Sequence, residues 1–320
     1  MKSEPLLSVV IPAYNEARGI GTFHEELLVP HLTQATNGSY EILYINDGSS
    51  DDSLQILTDI AASDTRIKLI SISRNFGKEI ATSAGIKYAT GKAVIIMDSD
   101  GQHPPELISD FITKWREGAQ VIVGVRGSNQ NEGAIKKLGS KMFYRLFNGV
   151  NDVQMQPGST DFRLMDRSVQ QEFIKLPEHN RITRGLIDWL GFKRDYIYFN
   201  SPARLAGAPS YSSTMLIGLA LNSFVSLSLK PLFMLAWTGF IITLLAMVAG
   251  IFMLVEQLVL GDPLKLNFTG AALLGIFVSF LVGLVLTSQG VLAIYLSHIH
   301  THAQGRPLFV VDRSSSIGIE

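Results

Sequence analysis

The chain has no cysteine among its 320 residues. Disulfides and cysteine-ligated zinc are thereby excluded. Net charge is also nearly absent: 27 Lys and Arg stand against 28 Asp and Glu, a formal −1, so no nucleic-acid partner is expected from bulk electrostatics. No Gly-x-Gly-x-x-Gly follows the first apolar run, "LLSVVIPAY" at 6–14, which argues against a dinucleotide-binding dehydrogenase. The start lacks a secretory signal, because the apolar run from Leu6 to Pro12 behind Lys2 and Glu4 is too short for an h-region. The N-terminal half is therefore expected in the cytoplasm. Finally, charge is missing altogether from Pro231 to Val255 and from Leu266 to Ser297.

Those two uncharged runs are long enough for membrane helices, which need about 20 apolar residues. "EQLVLGDPLK" (256–265) reads as the turn between them, and two spans return the chain to its starting side. Lys230 before the pair, with Arg306 and Arg313 after it, favours both ends inside. The serine-rich apolar stretch 209–229 reads as juxtamembrane interfacial helices. The expected organisation is a catalytic domain over 1–208, interfacial helices over 209–229, a two-helix transmembrane hairpin over 230–297 and a cytoplasmic tail over 298–320. Residues 134–150 are expected to form a helix with an apolar face and a basic one.

What is present in the first 127 residues is an alternation of strand and helix. Strands are expected at 6–14, 40–53 (this one ending in a polar turn), 67–73, 92–100 and 119–127, and helices at 17–32, 53–63, 79–91 and 105–118, the last with proline in its first turn. Near-continuous apolar strands in such an alternation imply an α/β fold with a mostly parallel sheet flanked by helices. Ligands of such sheets gather beyond the carboxyl ends of the strands. Here those ends read "PAYNE", "NDGSSD", "SRNFGKE", "DSDGQ" and "GVRGS".

The fourth tip carries the strongest chemical signal. In "AVIIMDSDGQHPPEL" two carboxylates, Asp98 and Asp100, stand one residue apart, with Gln102 following. Side chains alternate along a strand, so the two would point the same way. A hard cation such as Mg²⁺ or Mn²⁺ takes oxygen ligands of this kind and bridges them to substrate phosphates. The competing reading is an Asx-rich turn capping the next helix. Against it, the motif ends an apolar strand and joins four other polar tips.

The stretches "VVIPAYNE", "YINDGSSDDS", "SRNFGKEIATSAGIKYATG", "DSDGQHPPEL" and "TDFRLMDR" together resemble the family-2 glycosyltransferases of the GT-A fold. More narrowly, they resemble the polyprenyl-phosphate branch: dolichol-phosphate mannose synthases and the bacterial undecaprenyl-phosphate glucosyltransferases of O-antigen modification. The resemblance covers roughly 6–210. It implies an inverting, Mg²⁺- or Mn²⁺-dependent transferase of the bacterial inner membrane. Its partners would be a nucleotide sugar, best a UDP-hexose, and a polyprenyl phosphate, with self-association left open. Pro12, Tyr14 and Glu16 would line the base and ribose site, and Asp47 would read the base. Asp98, Asp100 and Gln102 would form the metal and diphosphate group. Lys78, Arg126, Arg163 and Arg204 would contact phosphate, a task that suits guanidinium. Asp161 would stand near the acceptor; the plain alternative is a helix N-cap before "FRLMDRSV".

Two positions depart from the family pattern: Thr160 stands where Gly is usual, and Ser210 where Lys is common. The Gln-x-x-Arg-Trp signature of processive polysaccharide synthases is missing from the chain. Donors carrying mannose, galactose, N-acetylglucosamine or an aminoarabinose remain open, as does a non-catalytic nucleotide-binding scaffold. "SHIHTH" at 297–302 reads as a polar juxtamembrane tail, since histidines two apart do not share a helix face, and His103 reads as a brace for its turn.

Overall fold

A computed structural model describes residues 4–127, 156–179, 181–202 and 303–319, with single positions between 248 and 299. Seven strands form one sheet: β1 (Leu7–Ala13), β2 (Tyr40–Asn46), β3 (Ile67–Ser71), β4 (Ala93–Ile96), β5 (Val121–Arg126), β6 (Ser159–Asp166) and β7 (Arg194–Phe199), in the order β3-β2-β1-β4-β6-β5-β7. All neighbours are parallel except at β6, which runs antiparallel to both β4 and β5. The five strands expected in the first 127 residues are all present. β6 and β7 are additions: "STDFRLMD" is a strand, and the helix behind it starts only at Arg167, capped by Asp166, whose carboxylate accepts from the Ser168 amide.

Strands β1, β2 and β4 are buried at every position, which explains their unbroken apolar runs. Helices cover both faces. The first, α1, is continuous from Ile20 to Thr36, with a π segment over Phe23–Leu28. Pro30 lies just behind that segment. Proline denies the preceding turn one amide donor, and a π turn accommodates such an interruption without ending the helix. Helices α2 (Ser53–Ser63), α3 (Lys78–Tyr88), α4 (Ile108–Arg116), α5 (Arg167–Lys175) and α6 (Thr183–Trp189) follow. Helix α3 lies hard against the sheet because residue 85 is Gly: a Cβ there would stand 2.3 Å from Val10 Cγ1 and 2.6 Å from Ile45 Cδ1.

Beneath the sheet, Glu41 is buried in β2. Its carboxylate accepts from Ser8 Oγ and from the Thr90 amide and hydroxyl, and pairs with Lys68 Nζ at 2.7 Å. Burial pushes its pKa up, but the Lys68 pairing and these hydrogen bonds win and hold it below the ordinary value. A carboxylate depressed on folding stabilises above its unfolded pKa and loses that contribution as pH falls through the folded one. Glu41→Gln is therefore expected to cost about 1–3 kcal/mol at pH 7 and to flatten the acid limb of stability between roughly pH 5 and 3. Urea unfolding across that range checks it.

Residues 306–320 belong to the same compact unit as 1–216, while 217–305 form a second one. The described positions between 270 and 299 are helical. Among the described residues no helix is long and apolar enough to cross a membrane. The expected spans, the interfacial helices 209–229, the basic helix 134–150 and Arg204 lie largely or wholly outside the described residues.

Candidate functional site

The carboxyl ends of β1 to β4 open on one side, and their loops are sewn together by short polar side chains. Asn15, left-handed at φ 56°, donates its amide to Ser49 Oγ and accepts from the Ser50 amide. The Glu16 amide donates to Ser53 Oγ, and the Ala17 amide to Asp51. β1 ends at Ala13 with Pro12 buried just inside it, and Tyr14 projects beyond the tip, 47% exposed. Tyr14 and Glu16 stand on the rim of these strand tips, with Pro12 in the strand beneath them.

Asp47, the residue expected to read the base, lies at the carboxyl end of β2. It is 2% exposed, and its carboxylate accepts from the Phe76 and Gly77 amides at 2.8 and 2.9 Å. Burial raises its pKa, partly offset by those two bonds. Both oxygens hold the β3–α3 loop. Gly48 allows that closeness, because a Cβ there would lie 2.6 Å from the Arg74 backbone.

The turn after β4 delivers the paired carboxylates, though not by strand alternation. β4 ends at Ile96, and the Met97 amide makes the last ladder bond, to Val10. The Asp98 amide leaves the sheet and donates to His103 Nδ1 at 2.9 Å. His103 is buried and stacks on Phe162 with centroids 5.1 Å apart. Burial keeps it neutral, with its pKa lowered despite nearby Asp98. It braces the turn, as its place before two prolines suggests. Asp100 accepts from the Gln102 amide at 3.0 Å. Ser201 Oγ donates to the Gln102 carbonyl and accepts from Arg126 Nη2. Arg126, at the end of β5, is thereby tied to the carboxylate turn.

The antiparallel register pairs Ile96 with Arg163, so continuing it two residues sets Asp161 opposite Asp98. Lys78 Nζ, from the first turn of α3, lies between them, 2.6 Å from Asp98 Oδ1 and 3.4 Å from Asp161 Oδ2. Burial lowers the Lys78 pKa, but Asp98 and Asp161 more than reverse this and hold the ammonium charged. Burial pushes Asp161 up; the cations Lys78, Arg184 and Arg163 overcome it and hold the carboxylate far below its usual range. Asp161 is therefore an anion inside the cleft. It is no helix cap, since that role falls to Asp166.

Arg163, expected at the phosphates, is engaged in the protein interior. It is 1% exposed, donates to the carbonyls of Thr160 and Arg184, and meets Asp188 Oδ1 at 2.8 Å. Its guanidinium makes a buried ion pair through Nη1. Positions 161 and 163 lie two apart on β6 and so share one face of the strand.

Three residues of the cleft were not anticipated: Glu79, Thr183 and Arg184. Glu79 accepts from the Thr183 amide at 2.8 Å, and burial, then Asp161, raises its pKa. Arg184 Nε lies 4.0 Å from Asp161 Oδ1. The signal available was "RITRGL" (181–186), two arginines three apart in a polar stretch.

The donor set suits a hard divalent cation. Asp98 Oδ1 is buried, and apart from the Lys78 ammonium no hydrogen bond reaches it; Asp100 stands two residues on in the same turn. Among the described residues no three His, Asp or Glu side chains gather as a complete metal cage. One or two carboxylates suffice for Mg²⁺ where substrate phosphates supply the remaining oxygens.

Comparison with known proteins agrees with this architecture. Residues 8–173 match the model of Glycosyl transferase family 2. An uncharacterized glycosyltransferase of Synechocystis sp. is 38% identical over 305 residues, 95% of this chain and 94% of that one. The bactoprenol glucosyl transferase of Shigella phage SfII is 32% identical over 308 residues, 96% and 98% of the two chains. Among solved structures, mannosyl-3-phosphoglycerate synthase from Rubrobacter xylanophilus aligns at TM-score 0.51 and 16% identity, over 69% of this chain and 73% of that one, a likeness of fold alone. With the GT-A sheet, the polar strand tips and similarity along nearly its whole length, the chain belongs to glycosyl transferase family 2 and is a glycosyltransferase.

Proposed function

We propose that the protein transfers a hexose, glucose from UDP-glucose, to a polyprenyl phosphate, undecaprenyl phosphate in a bacterial inner membrane, with inversion at the anomeric carbon. The observation that carries this reading is the full-length similarity to bactoprenol glucosyl transferases. The site supports it chemically. A phosphate acceptor is already ionised at neutral pH, so it needs no strong base. Asp161, held as an anion by Lys78, Arg184 and Arg163, is a poor proton acceptor near pH 7 and fits an orienting role. The nucleophile is then the lipid phosphate oxygen, which attacks the anomeric carbon as the nucleotide diphosphate leaves.

Asp98 and Asp100, with Gln102 beside them, would hold Mg²⁺ or Mn²⁺, which supplies charge neutralisation to the departing diphosphate. Lys78, and Arg126 through its tie to the same turn, would add fixed positive charge at the phosphates. Arg204 belongs to the proposal as a contact to the acceptor phosphate. A membrane setting is supported by side chains such as Leu274, Leu292, Leu296 and Ile299, 46–63% exposed at helical positions of the second unit, where apolar surroundings would cover them.

The test is direct. Purified full-length protein with labelled UDP-glucose, polyprenyl phosphate and Mg²⁺ or Mn²⁺ is expected to yield a glucosylated lipid. Transfer of a different sugar in a donor screen would correct the donor alone. No transfer from any nucleotide sugar would end the reading.

A further inference from the structure

The segment after the long apolar region does not trail away as the free tail its composition suggests. It returns to the first unit and lies along β3, the edge strand of the sheet. The Leu69 and Ile317 backbones exchange both hydrogen bonds, at 3.0 and 2.8 Å. The Ser71 amide donates to Ser316 Oγ at 3.0 Å, and the Asp312 amide to the Ser71 carbonyl at 2.8 Å. The Ser73 amide donates to the Val310 carbonyl at 2.9 Å. Residues 69, 71 and 73 alternate along one edge, so these bonds satisfy the amides an open edge would leave bare. Asp312 closes the turn between the two halves by accepting from Ser314 and Ser315. Phe309 lies against Tyr88 and Lys87 at the far end of α3. Val311 and Ile319 pack on the α3 side of the sheet and Ile317 on the other.

The last of these bonds falls at Ser73, where the β3–α3 loop begins. The loop's other end is held by Asp47 through the Phe76 and Gly77 amides, and Lys78 follows at once. Helix α3 is thus gripped at its C-terminal end by Phe309, while the loop that aims Lys78 is gripped on both flanks. We propose that residues 309–317 form a positioning strap for the donor site: they set the β3–α3 loop, and through it hold the Lys78 ammonium between Asp98 and Asp161. The effect on turnover rests on the reading of Lys78 as a phosphate contact; the effect on the loop does not.

The decisive variant is Asp312→Pro in the full-length protein. Position 312 has φ −80°, which proline accepts, so the substitution removes the amide bond to Ser71 and the side-chain turn together. Amide exchange over 72–78 is expected to accelerate at least ~10-fold, as local opening there becomes easier, while exchange in β1 and β4 stays unchanged. Sugar transfer, measured as kcat/KM for the nucleotide sugar, is expected to fall about 10- to 100-fold, the scale of a small misplacement at a reacting centre. In a Lys78→Ala background the same substitution should change kcat/KM by less than about twofold, because the strap then has nothing left to aim. Phe309→Ala provides a milder second variant with the same expected signature should the proline variant fail to fold. Unchanged exchange over 72–78, or a loss that multiplies fully with Lys78→Ala, would overturn the strap. If the wild-type protein transfers no sugar, the exchange result still decides whether the strap exists, and the failure belongs to the proposed function.

Discussion

Asp100→Ala is expected to lower kcat/KM for sugar transfer by roughly 10³-fold or more, the scale of losing several kcal/mol of charge stabilisation on the leaving group, while the protein remains folded. The two parts follow from different contacts. Structurally, Asp100 accepts the Gln102 amide, a turn bond worth about 1 kcal/mol, and the same turn is held independently by His103 at the Asp98 amide and by Ser201 at the Gln102 carbonyl. Functionally, removing the carboxylate takes away one of the two anionic oxygen groups available to a divalent cation. Asp100→Asn sharpens the test, because it keeps a hydrogen-bond acceptor for Gln102 and removes only the charge. It should be about as inactive as the alanine variant and more stable than it. Steady-state turnover with excess Mn²⁺, beside thermal unfolding, separates the effects. Turnover near the wild-type level would remove the carboxylate turn from the chemistry. Asp98 is a less clean probe, since its loss also leaves the Lys78 ammonium paired with Asp161 alone of the two carboxylates it bridges.

The parallel part of the fold was legible because its strands are buried on both faces and so spell apolar runs. β6 was not, because "STDFRLMD" opens on Ser, Thr and Asp, residues that equally start a helix, and only its antiparallel place between β4 and β5 makes it a strand. An N-cap reading and a strand reading of that stretch differ only in what lies beside it, which local pattern does not encode. The same limit governs the site. Asp98 and Asp100 were visible as a pair of charges that nothing local explains. Asp47 looked alike at the level of sequence, yet its carboxylate faces two amides of a loop 29 and 30 residues further on. The C-terminal strap was invisible for a related reason: its partner strand lies some 245 residues earlier, so 298–320 reads only as a cytoplasmic tail.

Asp188→Ala is expected to destabilise the protein by about 3–5 kcal/mol, the cost of stripping one partner from a buried ion pair. Arg163 has no route to water, and its Nη1 loses the one carboxylate it touches, leaving two carbonyls for a charged guanidinium whose Nη2 already lacks a partner. Arg194, 3.4 Å from the same oxygen, loses less because it is partly exposed. Replacing both members, Arg163→Met with Asp188→Leu, should recover most of the loss, since an apolar pair of similar volume avoids burying charge. Urea unfolding measures both. The double variant then decides what Arg163 is for. If the guanidinium is a strut beneath β6, the folded double variant binds UDP within a few-fold of wild type. A folded double variant that no longer binds the nucleotide would return Arg163 to the phosphates and place the ion pair with Asp188 as a resting state broken by the donor.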